Sequence, residues 1–75
     1  MNRNTIFVDR YDYKNENDLL EEIFKQMSNF QRYNGYMPQN VRMTEKEYYA
    51  IRNYKADLFR YKNGGYYILC MKVVL

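Results

Sequence analysis

NENDLLEEIFKQMSNFQRYNG, residues 15–35, is the stretch whose reading decides the fold. Leu20, Ile23, Phe24, Met27 and then Phe30 or Gln31 recur at the three- and four-residue spacing of one helical stripe, which Leu19 widens. Asn15 or Asn17 is placed to cap the first turn by accepting backbone N–H bonds. Glu16, Asp18, Glu21 and Glu22 load that end with the negative charge that the helix dipole favours. Lys25 and Arg32 fall towards the other end, and Gly35 can take the left-handed conformation that stops a helix. A helix with one apolar stripe needs a sheet or a second helix to cover. The flanking sequence offers both.

Upstream, Thr5-Ile6-Phe7-Val8 is β-branched and aromatic, and Tyr11 and Tyr13 continue the alternation, so a first strand is expected over roughly 5–11. Downstream, Asn34-Gly35-Tyr36-Met37-Pro38 is a turn, and the proline holds Met37 extended. Val41-Arg42-Met43 reads as a short strand. Thr44-Glu45-Lys46-Glu47 is a capping box and opens a second helix over about 45–55. Tyr48, Ile51 and Tyr54 or Lys55 should face inward, with Tyr49 or Arg52 flanking. The runs 58–61 and 66–69 are β-rich and separated by Lys62-Asn63-Gly64-Gly65, a hairpin signal because the Asn-Gly pair accepts positive φ twice. Met71–Leu75 continues or follows the last strand, and its apolar Val73-Val74-Leu75 end is expected to be paired. The expected fold is α+β in the order β-α-β-α-β-β: one domain over residues 1–75, its small, mostly antiparallel sheet covered by the first helix.

Seventy-five residues lie near the lower limit for a self-sufficient core, so packing or a partner subunit must supply the stability, and a homodimer stays open. One cysteine and no histidine exclude an internal disulfide and disfavour a structural zinc site. No apolar run approaches the ~20 residues of a membrane span, and no leader-like segment is seen. The expectation is a cytoplasmic protein with no cofactor and no membrane partner. Ten tyrosines and four phenylalanines fit either an AT-rich coding bias or an enlarged adhesive surface.

The chain does not read as an enzyme. Without histidine there is no ready base near neutral pH, and no phosphate-cradling glycine loop is present. Cys70 lies in an apolar run, where a buried, protonated and inert thiol is expected. Charge is divided instead. Residues 9–22 hold six carboxylates against Arg10 and Lys14, a balance of −4, while residues 23–75 carry +6. Two opposite candidate faces follow. Glu16, Asp18, Glu21 and Glu22 spread over ~9 Å of helix, comparable to a short piece of phosphate backbone, and could enter a basic groove made for DNA. Conversely, Arg42, Lys46, Arg52, Lys55, Arg60, Lys62 and Lys72 interleave with tyrosines, a mixture that can contact phosphates and stack bases. Arg52, Lys55, Arg60 and Lys62 are the centre of that alternative face.

Gln26-Met27-Ser28-Asn29-Phe30 resembles the bacterial sliding-clamp-binding peptide, with Gln26, Met27, Ser28 and Phe30 in place and Asn29 where leucine is usual. Met27 and Phe30 also serve as core residues of the helix. The segment MPQNVRMTEKEYYAIRNY and the ending GGYYILCMKVVL, with the Tyr/Asn/Lys-rich composition, are similar in style to small early host-takeover proteins of lytic phages infecting Gram-positive, staphylococcal-type bacteria. Within that group the chain looks most like the sliding-clamp inhibitors. The resemblance implies a cytoplasmic protein of the host cell that binds the DNA polymerase III sliding clamp, as a dimer, and keeps it from DNA. It would act through Gln26, Met27 and Phe30 in the peptide pocket, or through the acidic turn as a DNA mimic. RNA polymerase or a CRISPR effector are alternative targets, and a small DNA- or RNA-binding protein is the alternative class.

Overall fold

The computed structural model of the chain describes residues 4–75. In chain order the elements are β1 (Thr5–Phe7), α1 (Glu16–Asn34), β2 (Asn40–Arg42), α2 (Glu45–Tyr54), a 3-10 turn at Ala56–Leu58, β3 (Phe59–Lys62), β4 (Gly65–Ile68) and β5 (Met71–Val74). The class is α+β, as the sequence implies. The sheet has five strands in the order β1-β2-β5-β4-β3. It is mixed: β1 pairs with β2 and β2 with β5 in parallel, whereas β5/β4 and β4/β3 are antiparallel.

The mostly antiparallel, one-strand-shorter expectation is therefore corrected. The run from Tyr66 to Leu75 is two strands, because Leu69 adopts φ 56° and reverses the chain so that Ile68 pairs with Met71. β5 then runs back between β4 and β2, beside which it lies parallel. The parallel β1/β2 pair is joined through α1, since a parallel connection needs a crossover rather than a hairpin.

Alternation along the strands assigns their two faces. Ile6, Val8, Val41, Met43, Ile68 and Met71 are buried and form one cluster with Leu19, Leu20, Ile23 and Met27 of α1 and Tyr48 and Ile51 of α2. Both helices thus cover one face of the sheet. The opposite face is left uncovered by helix.

Local chemistry sets the boundaries. Asn15, not Asn17, caps α1: its side chain accepts the Asp18 N–H at 2.9 Å. Gly35 ends the helix at φ 78°, with its N–H on the Gln31 carbonyl at 2.8 Å. The buried stripe is narrower than expected. Phe24 is 45 % exposed and Gln31 is exposed, while Phe30 is half-buried. The hydrogen bond from Tyr54 Oη to Asn17 Oδ1 (3.5 Å) puts α2 against the start of α1, and Phe24 lies about two turns further on.

β1 stops at Phe7 rather than near Tyr11, because the chain turns at Asp9-Arg10 and the Tyr11 N–H bonds back to the Val8 carbonyl at 3.1 Å. The capping box is present in full: Thr44 Oγ1 accepts the Glu47 N–H at 3.2 Å, and Glu47 Oε1 accepts the Thr44 N–H at 2.8 Å. Tyr48 and Ile51 face inward, whereas Tyr54 and Lys55 are exposed. Asn63 (φ 53°) and Gly64 (φ 79°) form the two-residue hairpin loop between the paired Lys62 and Gly65.

Candidate functional site

The carboxylates at the start of α1 differ in availability. Asp18 is occupied inside the fold: one oxygen accepts the Tyr11 hydroxyl and the other the Lys14 N–H, both at 3.0 Å. That bond to a carboxylate raises the Tyr11 hydroxyl above its ordinary pKa, helped by desolvation and by the nearby charges of Asp18, Glu22 and Glu21. Glu22 accepts from Gln26 Nε2 at 2.9 Å. Glu16 and Glu21 are exposed. At 3.6 residues per turn, Glu16 points about 160° away from Asp18, so the four acids wrap the helix end instead of forming one row. Asp12 and Glu16 flank a shallow depression that also takes in Lys14, Lys46 and Glu47.

The five residues 26–30 are helical within α1. Met27 is buried in the core. Gln26 Oε1 accepts the Phe7 N–H at 3.3 Å, closing the outer edge of β1. Phe30 packs edge-to-face on Tyr36, with centroids 5.5 Å apart. In this conformation the segment is a piece of the hydrophobic layer, not an extended peptide.

The four cations proposed as one nucleic-acid face are split between two surfaces. Arg52 belongs to α2, bonds the Tyr48 hydroxyl at 3.1 Å and lies 5.2 Å from the Tyr66 ring centroid. Lys55 follows α2 and sits over the Tyr54 ring at 5.6 Å. Arg52 belongs to an aromatic surface in which Tyr48 meets Tyr49, Phe59 and Tyr66, and Tyr66 meets Tyr61. Arg60 and Lys62 lie elsewhere. On β3 they alternate with Phe59 and Tyr61, and so point to the face without helices.

On that open face the register brings in residues that linear spacing did not select. Arg60 pairs with Tyr67, Tyr67 with Lys72, and Lys72 with Asn40, one row across four strands. Arg42 and Val74 form a second row with Phe7. Asp9 bonds Arg42 as an ion pair at 3.5 Å and is half-buried. Lys72 and Arg42 are thirty residues apart in sequence, and only the central position of β5 makes them neighbours.

Cys70, expected to be buried, is exposed, because the tight turn at Leu69 carries it out of the strand. Among the described residues no cluster of three or more His, Cys, Asp or Glu side chains could hold a metal ion, and no helix is long and apolar enough to cross a membrane. Compared with protein families, curated proteins and solved structures, the chain matches none.

Proposed function

We propose that the chain is a non-catalytic binding protein of the phage host-takeover kind, which disables a host DNA-replication protein and keeps it from DNA. The sliding clamp is the target this reading puts first. The observation that carries it is the exposed charge of Glu16 and Glu21 on a helix start tied down by the Asn15 cap and the two bonds to Asp18. Asp18 fixes that start through Tyr11 and the Lys14 N–H, so little further ordering would be needed on binding. A protein that encircles or grips DNA offers a basic surface, and exposed carboxylates complement it. The peptide-pocket route is the weaker form of the proposal, because Met27 would have to leave the core to enter a pocket.

The test uses purified sliding clamp and the double variant Glu16→Lys/Glu21→Lys, with both side chains exposed and the fold checked by circular dichroism. Binding at physiological salt should weaken by at least ~10-fold, about 1.4 kcal/mol. Unchanged affinity for the clamp would remove the acidic end of α1 from the mechanism.

A further inference from the structure

We propose that the open face of the sheet is a second binding surface, and that its ligand is single-stranded nucleic acid. The surface is distinct from the acidic end of α1. Arg60, Lys62 and Lys72 stand on it with no carboxylate partner among the described residues, and Arg42 shares its charge with Asp9. Three like charges without a carboxylate partner repel each other on one small face, and Asp57, which lines the same hollow as Arg60 and Lys62, forms no ion pair with them. Aromatic surface lies between and beside them: Tyr67 separates Arg60 from Lys72 in the same row, and Phe7, 51 % exposed, stands beside Arg42.

At ~4.8 Å per strand, the backbone positions of Arg60 and Lys72 lie ~10 Å apart with Tyr67 between them, and the Lys72 stem leans back over Gly65 of β4. Cation, ring and cation in that order suit phosphate, base and phosphate of an unpaired strand. Gly65 supports the arrangement. A Cβ at that position would come within 3.2 Å of Lys72 Cε, so the absent side chain gives the Lys72 stem room over β4. A duplex fits poorly. Its bases are stacked out of reach of Tyr67 and Phe7, and reading a groove needs a projecting helix or ribbon. Both helices are on the other side of the sheet.

The experiment is fluorescence anisotropy with labelled short oligothymidylate and oligouridylate, and with a mixed-sequence duplex, over a range of salt. The proteins are wild type, Arg60→Glu/Lys72→Glu, Tyr67→Leu and Arg52→Glu/Lys55→Glu, each checked for folding by circular dichroism. Wild type should bind the single strands with affinity falling steeply in salt, by ~0.7 log units per log unit of salt for each phosphate contact. Arg60→Glu/Lys72→Glu should weaken binding at least ~10-fold and flatten that slope, and Tyr67→Leu should cost ~5-fold or more from lost stacking. Arg52→Glu/Lys55→Glu, which changes the net charge by the same amount, should weaken binding less than Arg60→Glu/Lys72→Glu does. No binding at low salt overturns the proposal, as does loss only in the Arg52/Lys55 variant. Preference for the duplex overturns the single-strand assignment. If sedimentation shows salt-sensitive oligomers that Arg60→Glu/Lys72→Glu disperses, and no oligonucleotide binds, the occupant of the face is a second copy and the proposal fails.

Discussion

The Tyr11 hydroxyl donates a 3.0 Å hydrogen bond to the Asp18 carboxylate, tying the loop after β1 to the first turn of α1. The bond exists only while the phenol keeps its proton, so the folded protein holds Tyr11 above its ordinary pKa of 10.0. A raised folded pKa means that the contribution to stability is complete below the unfolded value and is lost as pH rises through the folded one. Wild type should therefore lose stability above about pH 10 faster than Tyr11→Phe, which has no proton to lose. Urea midpoints of the two proteins from neutral to strongly alkaline pH measure the difference. Parallel curves would show that the bond contributes nothing.

The capping box gives a prediction of known size. Thr44→Ala removes the acceptor for the Glu47 N–H and should cost about 1 kcal/mol. In a chain this short that corresponds to a fall in Tm of roughly 4–8 °C. Thr44→Ser should recover most of the loss.

The narrow stripe of α1 can be tested by two neighbouring side chains. Ile23 is fully buried, and Ile23→Ala should cost ~2–5 kcal/mol, enough to leave much of the population unfolded. Phe24 carries more apolar surface but is 45 % exposed, so Phe24→Ala should cost ~1–2 kcal/mol. Denaturant titration with an unchanged m-value measures both. Equal losses would mean that Phe24 is as much core as Ile23.

The exposed thiol gives a kinetic prediction. Cys70 in the native protein should react with a thiol reagent completely and without denaturant, at a rate within ~10-fold of the unfolded chain. Protection that disappears only on unfolding would place it back in the interior.

Much of the fold was legible because local signals agreed with one another. Asn15 and Gly35 bound α1, Thr44 and Glu47 open α2, and Asn63-Gly64 makes the hairpin, each by chemistry confined to a few residues. What could not be read was set by distant contacts. Leu69 at positive φ replaces the Gly or Asn that would announce a turn, so the Ile68–Met71 reversal left no mark in the sequence, and Cys70 was placed in a strand instead of at its tip. With that turn unseen, β5 could not be put between β2 and β4. The Arg60–Tyr67–Lys72 row, which exists only through that placement, stayed hidden. Arg52 and Lys55 join Arg60 and Lys62 in sequence through their interleaving with tyrosines, which carries no information about which side of a sheet a residue occupies. The acidic turn was legible as composition, but Tyr11's claim on Asp18 was not.

In the proposed function, this protein keeps a host replication protein from DNA. Loading of the sliding clamp on primed circular DNA by its loader, measured with increasing amounts of wild-type protein, tests it most directly. Loaded clamp should fall in proportion to added protein, and Glu16→Lys/Glu21→Lys should restore loading. Undiminished loading in the presence of a large molar excess of the folded protein would contradict it.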